Sequence, residues 1–239
     1  DGSNAFKMLS HATDTKEDDG STIRKCMRTL IKANADVTRC DKEGYAAIHN
    51  FAVTGSVQTM KVLIEEALTS IELPKGRPEE EISFSTPLLC ALAMGKNEVA
   101  TYLHEKGASL TAGKTGSNIF AAIIQGASEF SEELELESPM HWLKLALAAG
   151  ANPSFMDAIE MIKRLGKSDD DYGSVSSWAP EFIDEILEVG QFANSALKEI
   201  DEAEFSGELE LALSECPLTT GKVLEKFRHH GFDLDEISA

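Results

Sequence analysis

Gly113-Lys114-Thr115 has the ending of a phosphate-cradling loop, in which glycine-rich backbone N–H groups and a lysine hold the phosphates of a nucleotide. The pattern needs a further glycine at position 108, which is Ala108; Gly107 is one residue too early. The segment before it has helical rather than strand periodicity, so these residues read as a loop between helices. Cysteine is the candidate nucleophile. Cys90 lies on the Leu88/Ala91/Leu92 side of a helix and Cys26 shares a helix with Leu30, so both are expected to pack in the core. Cys216 precedes Pro217 at a helix end. His229 and His230 are adjacent, so on a helix they point about 100° apart and do not share one metal ion unaided. Neither H-E-x-x-H nor a pair of C-x-x-C motifs occurs. No catalytic residue, cofactor or metal ligand is assigned, and the chain is expected not to be an enzyme.

The elements behind these residues repeat, and repeats decide a fold when they are present. A helix that must stop and turn favours glycine, whose left-handed conformation costs little. Such closing positions fall at Asn34, Ala67, Gly107, Gly150, Gly190 and Gly231. Only the first gap, 33 residues, is compact; the later ones run from 40 to 43. The extra residues have visible places. They lie in 69–84 with Pro74, Gly76, Pro78 and Glu79-Glu80-Glu81, in the glutamate-rich 128–138, and in 167–177 with Asp169-Asp170-Asp171. A shorter insert lies at 14–20. All are polar and read as loops. The expected helix pairs are 4–13 with 22–33, 45–54 with 58–68, 86–94 with 97–106, 117–125 with 139–149, 155–165 with 180–189, and 207–215 with 219–230. Pro87 and Pro180 fit the first turn of a helix, where the missing N–H costs nothing.

Two units are specific. Asp41-Lys-Glu-Gly44-Tyr-Ala-Ala-Ile48-His49-Asn-Phe-Ala52-Val-Thr-Gly55 is followed by an apolar helix. Thr86-Pro87-Leu88-Leu89-Cys-Ala91-Leu-Ala-Met-Gly95 is followed by Glu98-Val99-Ala-Thr-Tyr-Leu103 and closed by Gly107-Ala108. Both resemble the ankyrin repeat, whose period is roughly 33 residues. The resemblance implies an all-α ankyrin-repeat solenoid of about six helix pairs with finger loops and acidic inserts. Residues 1–152 are expected to be ankyrin repeats, firmest over 36–152. Residues 153–239 are expected to be further divergent helix pairs, the alternative being a separate helical domain. In the resemblance His49 occupies a slot whose ring bonds backbone between neighbouring units, a structural role; catalysis would need a nucleophile within reach.

Composition restricts the partners. The 239 residues include 41 acidic and 22 basic ones, for a net charge of −19. Such a chain is repelled by nucleic acid and by anionic membranes, and it has no run of 18 apolar residues. A basic or polar protein surface is the expected partner; the other explanation of the excess acid is solubility alone. Four thinly spread cysteines read as reduced thiols, hence the cytoplasm. The chain opens on Asp1 rather than Met, as a segment of a longer protein would. Divergent, acidic, loop-inserted repeats also resemble those of effectors that intracellular bacteria deliver into host cells, which would place the protein in host cytoplasm; eukaryotic scaffolds are the other source.

Stacked repeats create one continuous concave face. The resemblance implies binding through the finger tips and the exposed side of each first helix. Carried over residue by residue, this places Lys42, Glu43 and Tyr45 on one finger, with Val53 and Thr54 late on the following helix. Ile82, Ser83 and Ser85 take the next finger, with Ala93 and Met94 on its helix; Lys114, Thr115 and Ser117 take the third, with Gln125 on the helix. Tyr45 and Met94 are the expected anchors, one rigid and aromatic, the other adaptable. The leading function is a monomeric module that binds a protein through the concave face and the inserted loops. The alternatives are an enzyme whose catalytic domain lies in the C-terminal helices or outside this segment, and repeats that dock on another domain of the same chain.

Overall fold

The computed structural model describes residues 5–12, 21–54, 56–76, 84–111, 119–129, 138–153, 175–189 and 220–230. The regular elements among them are helical, and none is a strand. In chain order they are α1 (Ala5–His11), α2 (Ser21–Lys32), α3 (Ala47–Thr54), α4 (Val57–Lys61), α5 (Pro87–Ala93), α6 (Asn97–Glu105), α7 (Ile119–Glu129), α8 (Ser138–Ala148), α9 (Val175–Val189) and α10 (Thr220–His229). A π-helical turn, Val62–Glu66, extends α4. The chain divides into two compact units, Asp1–Ala122 and Ile123–Ala239. The expected helices over 155–165 and 207–215 lie outside the described residues, as do the closing positions Gly190 and Gly231. None of the described helices is long and apolar enough to cross a membrane.

In the first unit the helices form stacked pairs: α1 packs on α2, α3 on α4 and α5 on α6. The first helices α1, α3 and α5 make one layer in sequence order, and α2, α4 and α6 make the other. The sequence dictates this arrangement through its apolar stripes. On α2 only Ile23 and Met27, one turn apart, are buried. α3 buries Ala47, Ile48, His49, Phe51 and Ala52, and every residue of α5 is buried. Thr86 caps α5: its Oγ1 accepts from the Leu89 N–H at 3.3 Å, and Pro87 sits in the first turn as expected. α3 starts at Ala47 rather than at residue 45 because the Tyr45 carbonyl is already engaged by the Asp41 N–H at 2.9 Å.

Four helix ends close in the same way. Asn34 (φ 57°), Gly95 (φ 62°), Gly107 (φ 95°) and Gly150 (φ 84°) take left-handed conformations. The next residue then donates five residues back: Ala35 to Leu30, Lys96 to Ala91, Ala108 to Leu103 and Ala151 to Ala146. The end of the π-turn is the exception. The expected closing residue Ala67 stays right-handed, with φ −94°. Leu68 takes the left-handed conformation instead (φ 53°), and Thr69 donates six residues back to Leu63. The wider π-turn uses one more residue, so it moves the closure one position along.

In the second unit α9 packs against both α8 and α10. Its apolar face is Phe182, Ile183, Ile186 and Leu187; α8 contributes Trp142, Leu143 and Ala146, and α10 contributes Phe227. Pro180 is not in the first turn of its helix as expected. It lies inside α9, which begins five residues earlier at Val175, and its missing N–H leaves one helical bond unmade.

Candidate protein-binding surface

The finger before α3 is built by one carboxylate. Asp41 is buried, and its Oδ1 accepts from the Glu43 N–H at 3.0 Å and the Tyr45 N–H at 2.9 Å. Gly44 (φ 84°) supplies the left-handed corner, and its N–H donates to the Asp41 carbonyl. Lys7 of α1 reaches over this finger, 3.0 Å from Asp41 Oδ2 and 2.6 Å from Glu43 Oε2. Burial alone would raise the Asp41 carboxyl, but the Tyr45 N–H and Lys7 hold it below its ordinary range. Lys7 likewise lowers Glu43, and its own ammonium is raised by Glu43 first and then by Asp41.

The next finger closes on the first. The Gly76 N–H donates to the Gly44 carbonyl at 2.9 Å, and the Lys75 N–H donates to the Ser85 carbonyl at 3.0 Å. Lys75 is buried, with Nζ 3.6 Å from the Tyr45 ring centroid. Tyr45 in turn meets His49 edge to face, with centroids 6.2 Å apart. His49 is fully buried; its Nδ1 accepts from the Ala46 N–H at 3.2 Å. Burial pushes the ring down to about 4, and Lys75 acts in the same direction, while the backbone of Leu73 and Ser85 in the next finger opposes it. The ring is thus a neutral structural element linking consecutive fingers.

The site residues expected from sequence fall into three groups. Lys42 is exposed on the finger, 3.6 Å from Glu43 Oε1. Tyr45, Val53, Thr54, Ser85 and Met94 are half-buried in the first unit; Val53 and Thr54 end α3, and Met94 caps the end of α5. Gln125 is half-buried on α7. Ser83, Lys114 and Ser117 lie outside the described residues, together with the Gly113-Lys114-Thr115 loop, Cys216 and most of the acidic inserts. The structure therefore gathers Lys42, Glu43 and Tyr45 on one finger. It also ties up two of them, since Glu43 is bound by Lys7 and Tyr45 lies under Lys75.

Two expectations about thiols resolve differently. Cys90 is in the core as expected, and burial pushes its thiol up to about 11, which leaves it protonated and non-nucleophilic. Cys26 is exposed instead of packed, because α2 turns Ile23 and Met27 inward and leaves the intervening position outside.

Lys75 sits between Pro74 and Gly76 in a polar insert where a lysine reads as solvated, so the sequence does not mark it as buried. Nor does the sequence mark the ion pairs that join neighbouring second helices. Glu66 holds Arg28 in a fork, with contacts of 3.0, 2.8 and 2.6 Å. Glu65 Oε1 accepts from Lys106 Nζ at 2.8 Å and from the Tyr102 hydroxyl at 3.1 Å. These partners lie 37 to 41 residues apart, near the repeat spacing.

Residues 16–114 match the family model of ankyrin repeats in three copies. No curated protein sequence matches the chain. Among solved structures, a chain of the one described as "Bd0816 Predatory Endopeptidase from Bdellovibrio bacteriovorus in complex with immunity protein Bd3460" has the same fold. The TM-score is 0.52 at 19% identity, over 95% of this chain and 100% of that one.

Proposed function

Residues 16–114 belong to the ankyrin-repeat family, and on that premise we propose that this chain binds a protein partner through its fingers and the exposed sides of its first helices. Ankyrin repeats are generally protein-interaction modules, and the similar solved structure is of two proteins in complex. The observation that carries the reading is the ordered layer of α1, α3 and α5. Val53 and Thr54 end α3 and Met94 ends the neighbouring α5, which supports reading them as one stretch of that surface, with the exposed Lys42 on the finger at the other end of α3. Of the two expected anchors, Met94 is favoured, because Tyr45 already serves as the floor under Lys75. Ser83, Ser85, Lys114 and Ser117 are proposed as further contacts of the first unit, and Gln125 on α7 as a contact of the second.

The partner is proposed to be basic. The net charge of −19 drives association with a basic surface and opposes nucleic acid. Several basic residues are already paired within the chain, namely Arg28, Lys106 and Lys226. Residues 153–239 are read as further divergent helix pairs, supported by the packing of α9 on α8 and α10. Cys26, Cys40 and Cys90 are unpaired, which supports a reducing compartment: the cytoplasm, or host cytoplasm if the protein is a bacterial effector. A non-enzymatic role fits the protonated Cys90 and the sealed, neutral His49, and the chain is proposed to act as a monomer.

The test is affinity capture with the purified chain, followed by titration of each captured protein against Val53→Lys and Met94→Lys, with circular dichroism confirming their helix content. Affinity is expected to fall at least about tenfold, or about 1.4 kcal/mol, an effect that only the minority of contact residues carrying most of the binding energy produce. A partner held equally by wild type and both variants would remove the first-helix surface from the proposal.

A further inference from the structure

In an α-helix consecutive side chains diverge by about 100°, and the π-turn of α4 uses such a divergence to point two adjacent glutamates at different neighbours. Glu66 reaches back to Arg28 on α2, while Glu65 reaches forward to Tyr102 on α6 and to Lys106 just after it. The second unit repeats the plan on different residues. Glu181 on α9 lies 3.8 Å from Lys144 on α8, and Asp184, one turn later, accepts from Lys226 Nζ at 2.6 Å on α10 and lies 3.0 Å from His230 Nε2 just beyond it. In both units, then, carboxylates of a central helix pair with basic side chains in or just after the helix on each side.

We propose that these pairs form an electrostatic stitch along the second helices, which sets how firmly adjacent helix pairs hold together and yields as ionic strength rises. In the first unit α2, α4 and α6 lie on the opposite layer from α1, α3 and α5. The pairs are partly exposed: side-chain exposure is 44% for Arg28 and 42% for Glu66, and 40% for Lys106 and 46% for Glu65. Exposed pairs are individually weak and sensitive to salt. That makes them suited to adjusting local opening, while the core supplies the stability.

Amide hydrogen exchange on the full chain tests this. In 20 mM salt, Glu65→Gln with Glu66→Gln is expected to speed exchange of α2 and α6 amides by about fivefold, the scale of an exposed ion pair. Amides of α3 serve as the internal reference and stay unchanged. Exchanging the charges, Arg28→Glu with Glu66→Arg, restores α2 protection, whereas Glu66→Arg alone does not. In 1 M salt the wild type and the double glutamine variant become alike. Asp184→Asn does the same for α10 alone. Equal exchange of wild type and the glutamine variant at low salt overturns the stitch. So does an effect that persists in 1 M salt, a charge exchange that fails to restore α2, or acceleration spread equally over α3.

Discussion

Lys75 Nζ stands 3.6 Å from the centre of the Tyr45 ring, and both residues belong to fingers that the Gly76 N–H bonds together through the Gly44 carbonyl. The ring face attracts an ammonium group that has been removed from water, so the pair joins two consecutive repeats. Tyr45→Leu is expected to destabilise the protein by about 2 kcal/mol, the scale of a desolvated cation–π contact. Lys75→Met combined with Tyr45→Leu should cost much less than the sum of the two single variants, giving a coupling of at least about 1 kcal/mol. Urea unfolding of the four proteins measures it. Additive effects would show that the ring and the ammonium do not interact.

His49 supplies the pH dependence. The unfolded imidazole titrates near its ordinary 6.5, whereas burial holds the folded ring near 4. Below 6.5 the unfolded chain therefore binds a proton that the folded chain refuses. Stability is fully present above 6.5, falls as the pH drops toward about 4, and is flat below that for this group. The loss amounts to about 3 kcal/mol across the window. His49→Gln, which keeps an acceptor for the Ala46 N–H, should show a shallower decline between pH 6.5 and 4.5. Parallel stability profiles for variant and wild type would mean that the buried ring protonates without penalty.

The helix closures predict substitutions of opposite sign. A Cβ added at Gly150 meets nothing within 4 Å, so only its φ of 84° opposes Gly150→Ala. The expected cost is about 1 kcal/mol from backbone strain alone. Leu68 holds φ 53° with a side chain that is 83% exposed and gains little by burial. Leu68→Gly should therefore stabilise the protein by roughly 0.5–1 kcal/mol. Thermal midpoints of the two variants, read beside wild type, check both; a fall for Leu68→Gly would show that the leucine packs in solution.

Much of this was legible before the structure. The helix pairs from 4–13 to 97–106 emerged within two or three residues of their bounds, because the apolar stripes and the closing residues Asn34 and Gly107 mark them locally. Three features were hidden for physical reasons. The π-turn leaves no composition signal: Val62–Glu66 reads as ordinary helix, and only the shift from Ala67 to Leu68 betrays it. Lys75 looks solvated, since its burial depends on Tyr45, which lies thirty residues away. The partners of Glu65, Glu66 and Asp184 lie on neighbouring repeats, and 41 acidic residues offer too many pairings to choose among. The resemblance placed the surface residues on fingers and helices, but it did not show that Glu43 and Tyr45 were already engaged.

Gly76 answers why a polar insert needs a glycine where no unusual φ requires one. A Cβ there would stand 2.9 Å from Cys40 Sγ, 3.3 Å from Cys40 Cβ and 3.8 Å from the Gly44 carbonyl oxygen. The glycine cannot retreat freely, because its N–H donates to that same Gly44 carbonyl at 2.9 Å. Gly76→Ala must therefore displace the sulfur or lengthen the bond between the two fingers, and an overpacking cost of about 1–3 kcal/mol is expected. Cys40→Ala removes the nearer contact and leaves the one at 3.3 Å, so the double variant should recover most of the loss but not all of it. Because Lys75 adjoins the strained residue, its hold on Tyr45 should weaken in Gly76→Ala and return in the double variant. Near-ultraviolet circular dichroism, compared with a Tyr45→Phe control, follows that contact, and unfolding midpoints follow the energy. Equal losses in Gly76→Ala and the double variant would show that backbone crowding rather than the thiol enforces the glycine.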